Sequence, residues 1–245
     1  LVHNCHHGSS DSWAKVIEMY SEAFVVGMTA TPISKNGRGL GSVFDTLVKG
    51  PSITELTNEG WLVPARYFVP SIPDLKGLRV QAGDYVESEL EGRMDKIQLV
   101  GDLCENWSRI AKYRQTIVFA CSVKHSQHIA EQFKSIGIKA AHLDGKTPDR
   151  ERDRVVKQFG EGDIQVLSNC SLFQEGFDVP AASCLIFARP TKSLRLYLQT
   201  AGRVLRPAPG KSDTILIDHS GVIYEHGPLD QDFDWRLDYG KEKTI

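Results

Sequence analysis

The sequence predicts a parallel α/β fold, a sheet with helices on both faces. Three observations carry that expectation. Short, continuously apolar runs such as "TIVFA", "CLIFA" and "TILID" have the composition of strands buried on both faces. Amphipathic segments of helical length stand between them. The connections are short and carry capping residues.

At 245 residues the chain is long enough for one large domain or two modest ones. Its formal charge of −2 gives no global basic field for nucleic acid, although loops that grip phosphates need none. The five cysteines include no CxxC, a pattern that fits a reducing compartment better than a disulfide framework. No apolar run approaches the roughly 18 residues a membrane helix needs, and the opening does not read as a secretion signal. The expectation is a cytoplasmic protein with no membrane partner, in a bacterial or phage-infected cell.

Taken in order, "SSDSWAKVIEMY" reads as a helix with a Ser or Asp N-cap. "AFVVGMTATP" reads as a strand buried on both faces, followed by the Gly-rich loop "SKNGRGLGS". Short helical pieces are expected near Phe44–Leu47 and Ile53–Asn58, then the extended "LVPARYFVP". These form residues 1–70, the remainder of a first α/β unit.

Residues 71–94 lose periodicity and read as a linker. From 95 to 221 strands and helices alternate as one complete unit, and 222–245 form a tail. In that second unit the first helix spans Asp95–Tyr113. "QTIVFA" leads to helix "VKHSQHIAEQFKSIG", closed by Gly137. "IKAAHL" leads to "TPDRERDRVVKQF", with Thr147 as N-cap and Pro148 at the first helical position. "IQVLSN" and "SCLIFA" follow, then helix "SLRLYLQTAGR" and the last strand "TILID".

The motifs are informative mainly in combination. "AAHLDGKT" ends like a P-loop, but the required first glycine is Ala140 and the residues between read as a strand, so it is a turn into a capped helix. "GMTATP" sets Thr29 and Thr31 at a strand end, and "QEGFDVP" sets Gly176 and Asp178 at the rim where parallel sheets keep ligands. In "YLQTAGRVLRP", a continuous helix would put Gln199, Gly202, Arg203 and Arg206 on one face. Two guanidinium forks one turn apart suit phosphate oxygens.

In order and spacing these segments resemble a superfamily 2 helicase from its second motif through its sixth. The flavour is that of the phage-type DEAD/DEAH DNA helicases related to the XPB and RadD group. "GMTATP" is similar to motif III, "TIVFA" to motif IV, "SNCSLFQEGFDVP" to motif V and "QTAGRVLRP" to motif VI.

The resemblance implies RecA-like domains that sandwich ATP with Mg²⁺ and track along nucleic acid, DNA in this branch. It implies Arg203 and Arg206 as catalytic arginine fingers, with Gly176, Asp178, Gln199 and Gly202 at the nucleotide. A preorganised guanidinium at the transferring phosphoryl group adds about 10³–10⁵ in rate. It also implies Ser168, Asn169 and Thr147 at the nucleic-acid backbone, and Thr29 and Thr31 as the coupling between the two sites.

By the same resemblance "LVHNCHH" is the remnant of a DEAHH-type motif II, with His3 and Asn4 where the two carboxylates stand and Cys5 and His6 in register. Neither residue supplies the acid–base and Mg²⁺ chemistry expected there. The bunched His and Cys lack the spacing of a structural zinc site, so no metal is expected. No P-loop is present in the sequence. The reading is therefore the C-terminal half of an ATP-dependent DNA helicase or translocase, inactive by itself. Its implied partners are nucleic acid and a missing N-terminal RecA-like domain. Two alternatives share these features: the motor of a restriction or repair complex, and a non-catalytic module binding nucleic acid or a protein partner.

Overall fold

The computed structural model describes residues 2–3, 5, 11–20, 22–34, 37–170 and 179–238, with backbone alone at 2–3, 11–14 and 97. The elements in chain order are β1 (Val2–His3), α1 (Asp11–Glu18), β2 (Gly27–Met28), α2 (Ile53–Asn58), β3 (Ala65–Phe68), β4 (Val80–Gln81), β5 (Asp84–Tyr85), α3 (Glu87–Met94) and α4 (Ile97–Ile110). They continue with β6 (Thr116–Ala120), α5 (Val123–Ser135), β7 (Ala140–Leu143), α6 (Asp149–Gly160), β8 (Val166–Asn169), β9 (Cys184–Ala188), α7 (Leu194–Gly202), β10 (Thr214–Asp218) and α8 (Val222–His226).

The centre is a six-stranded sheet in the order β3-β10-β9-β6-β8-β7, parallel at every pairing. Every residue of β6, β8, β9 and β10 is buried, as their apolar runs predict for strands covered on both faces. One apolar cluster on the sheet includes Phe119, Phe159, Phe187, Tyr197 and Leu216; a second includes Leu103, Trp107, Val118, Ile129, Phe133 and Ile186. Trp107 anchors the second cluster. It packs edge-on against Phe133 at 5.0 Å, and its indole N–H donates to Thr116 Oγ1 at 2.7 Å, so a large side chain is buried without stranding its polar atom. The expected α/β fold is present, a parallel sheet with helices packed on it.

Several local expectations are corrected. β3, expected with the first unit, pairs in register with β10 and forms one edge of the six-stranded sheet. The strand expected across Ala23–Pro32 contracts to β2, which pairs only with β1 among the described residues. A two-stranded ribbon cannot cover two faces, and Phe24, Val26 and Met28 are exposed. Only turns occur near Phe44–Leu47, whereas α2 forms as expected, with a full capping box between Ser52 and Glu55.

The expected linker 71–94 contains the β4–β5 hairpin and α3, whose Leu90 and Met94 are buried one turn apart. Its fixed point is Asp84. One carboxylate oxygen accepts from Thr191 Oγ1 (2.8 Å) and Arg189 Nη2 (3.2 Å), the other from the Lys192 amide (2.9 Å). The helix expected over 95–113 is α4, shorter at both ends.

Thr147 is not an N-cap, because Pro148 holds that position without a side-chain cap. The Thr147 hydroxyl turns back instead, accepting from the Asp144 amide at 3.0 Å. The tail includes α8 and a segment that returns across the sheet edge.

Candidate nucleotide and coupling site

α7 follows β9, and the turn after it, which carries Arg203 and Arg206, lies by the amino ends of β3 and β9. The Val63 amide donates to the Leu205 carbonyl at 2.8 Å, and Lys211 bridges the carbonyls of Arg206 and Ala182. α7 begins at Ser193, whose hydroxyl accepts from the Leu196 amide, and it buries Leu194, Tyr197, Leu198 and Ala201. The Tyr197 hydroxyl donates to the Gly227 carbonyl at 2.9 Å, fixing the helix against the start of the tail. The opposite side of α7 carries Gln199 and Gly202.

A continuous helical face through Arg206 does not form. α7 ends at Gly202, residues Arg203–Leu205 make a 3₁₀ turn, and Arg206 is extended with ψ 136°. Pro207 is the cause, since its ring disfavours helical backbone in the preceding residue. Arg203 is half-buried beside the buried Val204 and Leu205, whereas Arg206 is exposed. Among the described residues a Cβ on Gly202 would meet nothing within 4 Å, so their packing does not demand glycine there.

The turn is held by Lys211, which sequence reasoning missed. Its ammonium donates to the carbonyls of Pro180 (2.9 Å), Ala182 (2.6 Å) and Arg206 (2.8 Å). Three donors meet three acceptors, tying the segment that follows motif V to the turn that carries Arg206. Burial, with a smaller contribution from Arg114, pushes the Lys211 pKa down to about 8. The only cue in the sequence is the "PGK" turn, where Gly210 takes φ 76°. That pattern specifies a bend and says nothing of the carbonyl cage.

Thr31 and Gln199, expected in motifs III and VI, come together. The Gln199 side-chain amide donates to Thr31 Oγ1 at 3.1 Å. Thr31 is buried, and its amide donates to Thr29 Oγ1 at 3.1 Å, so the two threonines form one turn aimed at α7. Gly176 and Asp178 lie outside the described residues, as do Asn4 and His6; only the backbone of His3 is described, in β1. Cys5 is buried beside Gly27, and burial raises its thiol pKa. An imidazole and an amide in place of two carboxylates do not fit a Mg²⁺ site.

Ser168 and Asn169 do not present their side chains to a nucleic-acid backbone. Both are fully buried. Asn169 Nδ2 donates to the Val118 carbonyl at 2.9 Å, bracing β8 against β6. Ser168 shares a 2.7 Å hydrogen bond with Ser126, Ser126 meets His142 Nδ1 at 2.7 Å, and His142 Nε2 lies 3.3 Å from Asp144 Oδ2. Asp144 Oδ1 then accepts from the Lys146 amide at 2.8 Å and the Thr147 hydroxyl at 3.3 Å. The chain Ser168–Ser126–His142–Asp144–Thr147 is thus a polar brace. It sets the loop before α6, with Lys146 exposed on it.

A second unforeseen pair is Cys121 and His125. The thiol lies 3.1 Å from Nδ1 of an imidazole that begins α5. Burial pushes the thiol up to about 12 and the imidazole down to about 4, so both are neutral and the contact is structural.

Comparisons with known proteins bear on the family and the fold. Residues 95–208 match the helicase conserved C-terminal domain, and residues 1–34 match the res subunit of type III restriction enzymes. A 51.5 kDa protein of a Lactococcus phage is 38% identical over 94% of this chain. The Saccharomyces cerevisiae protein named as ATP-dependent helicase IRC3 is 27% identical over 91% of it. The chain spans only 51% of the phage protein and 34% of the yeast one. The solved type ISP restriction-modification enzyme LlaBIII bound to DNA superposes on 89% of this chain, with a TM-score of 0.62 at 18% identity, which speaks for the fold alone. By its motif order, its parallel sheet and these matches, the chain belongs to the superfamily 2 helicases, of which it forms a C-terminal portion.

Proposed function

We propose that this chain is the C-terminal half of an ATP-dependent DNA helicase or translocase. On this reading Arg203 and Arg206 face the ATP phosphates, Gln199 and Gly202 border the nucleotide, and Thr29–Thr31 transmits its state. The observation that carries the proposal is the Gln199–Thr31 hydrogen bond, which joins two motifs expected to work together from opposite ends of the chain. The open space over Gly202 supports it, since glycine there leaves room for a bound group.

The chemistry is electrostatic. Phosphoryl transfer spreads negative charge over the phosphoryl oxygens, and guanidinium groups placed beforehand stabilise that charge without reorganising. Lys211 fixes the backbone at Arg206 so that its side chain starts from a set position. No step is assigned to Mg²⁺ within this chain, because His3 and Asn4 do not fit that ion.

The test is to join residues 1–245 behind a first domain bearing a P-loop, with His3→Asp and Asn4→Glu. DNA-stimulated ATP hydrolysis should appear. Arg206→Ala and Arg203→Lys should each lower kcat about a hundredfold or more while changing KM for ATP little. A second reading, a non-catalytic module that binds nucleic acid or a protein partner, is favoured by His3 and Asn4 themselves. It predicts no turnover in the joined protein, and DNA binding indifferent to both arginine substitutions.

A further inference from the structure

The Gly-rich loop after β2 holds three glycines, and only one, Gly37, has the positive φ that glycine alone adopts readily. Gly39 and Gly41 do not. Gly39 forms an antiparallel bridge with Ile33, a conformation open to any residue. What excludes a side chain at both is the backbone of Leu237. A Cβ on Gly39 would overlap the Leu237 carbonyl, and one on Gly41 would sit 2.9 Å from the same oxygen. That carbonyl also accepts from the Gly41 amide at 2.8 Å. Two glycines are therefore explained by the close approach of a segment almost two hundred residues downstream.

That segment is anchored all along its course. It leaves α8 at Gly227, where the Tyr197 hydroxyl donates to it. The Leu229 amide donates to the Tyr67 hydroxyl at 3.0 Å, and that hydroxyl donates to Asp230 Oδ1 at 3.2 Å, fixing the segment to the β3 edge. Thr54 Oγ1 donates to the Asp230 carbonyl at 3.0 Å, fixing it to α2. Phe233 and Trp235 stack at 5.4 Å and join the apolar cluster in which Ile33 is 1% exposed. Ile33 stands two residues after Thr31, the partner of Gln199.

We propose that residues 228–238 form a strap that clamps the 33–41 hairpin onto the edge of the six-stranded sheet and thereby sets the Thr31–Gln199 contact. The strap makes the contact between the two motifs depend on the C-terminal segment. A shift of the strap, by a partner or by neighbouring domains, would release the hairpin while leaving the sheet intact. The inference rests on backbone geometry and holds whichever functional reading is correct.

Hydrogen exchange on the whole chain tests it. Gly39→Ala should displace the strap and speed exchange in both 33–43 and 229–238 by about tenfold or more, while β6, β8 and β9 keep parental protection. Trp235→Ala, which removes the strap's stacking without touching the hairpin, should loosen the same two segments together. Gly50→Ala, whose Cβ would meet nothing within 4 Å, should change neither. If Gly39→Ala proves too disruptive to purify, Gly41→Ala supplies the same test at a milder overlap. The proposal is overturned if Trp235→Ala frees 229–238 while 33–43 stays protected. It is equally overturned if the glycine variants leave both segments at parental rates.

Discussion

Acid should unfold this protein through its buried histidines before its carboxylates titrate. His125 and His219 are 2% and 5% exposed. Burial pushes both down to about 4 from an ordinary value of 6.5, against nearby carboxylates that pull the other way: chiefly Asp95 at His125, and Asp218 then Asp102 at His219. Each is held neutral by its contacts, His125 beside the Cys121 thiol and His219 with Nδ1 3.1 Å from the Ser71 hydroxyl. The pKa is lowered in the folded state, so stability is complete above 6.5. It falls as pH drops towards 4, because only the unfolded chain takes up the protons.

One pKa unit is worth about 1.4 kcal/mol, so a fall from 6.5 to about 4 costs roughly 3 kcal/mol per histidine by pH 4. Two such residues remove roughly 6 kcal/mol, comparable to the whole stability of an ordinary domain. Half-buried His226, stacked on Tyr197, is shifted in the same direction. Asp144 and Asp213, whose pKa values are lowered, lose their contribution only below about 4, in a separate window. Urea unfolding at intervals from pH 7.5 to 4.5 should show the midpoint falling steadily below 6.5. In a His125→Gln, His219→Gln chain that slope should flatten, even though its stability at pH 7.5 is lower. A parental midpoint independent of pH down to 4.5, or an unchanged slope in the double variant, would refute the reasoning.

Two further predictions concern residues that the site depends on indirectly. Asp84→Ala leaves the buried Arg189 guanidinium without its carboxylate, and should cost about 3–5 kcal/mol in urea or thermal unfolding; Asp84→Asn, which keeps acceptors for Thr191 and the Lys192 amide, should cost less. Lys211→Met keeps the length of the side chain but strands three carbonyls. It should lower stability by about 2 kcal/mol and speed hydrogen exchange across 203–212, and a variant indistinguishable from the parent would show that the cage is incidental.

The fold was legible where local chemistry and tertiary outcome agree. "TIVFA", "CLIFA" and "TILID" are too apolar to face water, and each became a fully buried parallel strand. Gly137, expected to close the helix that became α5, takes a positive φ, an equally local signal. The sequence misled where a residue's partner lay far away. Nothing in "ARYF" says that its neighbour is β10 rather than a strand of the first unit. α3 was hidden by charges and Gly92, because only Leu90 and Met94 turn inward. Thr147 had the chemistry of a cap and was taken by Asp144 instead. Arg206 is different: Pro207 stood in plain view, and the rule that it keeps the preceding residue extended should have outweighed the tidy helical spacing.

That last correction bears on the mechanism. Were both arginines on one rigid helix, their separation would be fixed by helical geometry, and any motion would carry them together. Instead Arg203 lies in the turn closing α7, while Arg206 sits on extended backbone whose carbonyl is bound by Lys211. Lys211 also holds Pro180 and Ala182, so Arg206 follows the segment after motif V, whereas Arg203 follows α7 and, through Gln199, Thr31. Two guanidinium groups positioned by separate attachments can respond separately. Under the proposed function, loosening the strap and breaking the Lys211 cage should therefore have distinguishable effects in the joined protein. Gly39→Ala should act with Arg203→Lys, and Lys211→Met with Arg206→Ala, each pair falling short of additivity in kcat because its members disturb one attachment. Additive losses within both pairs would mean that the two attachments do not govern the two arginines.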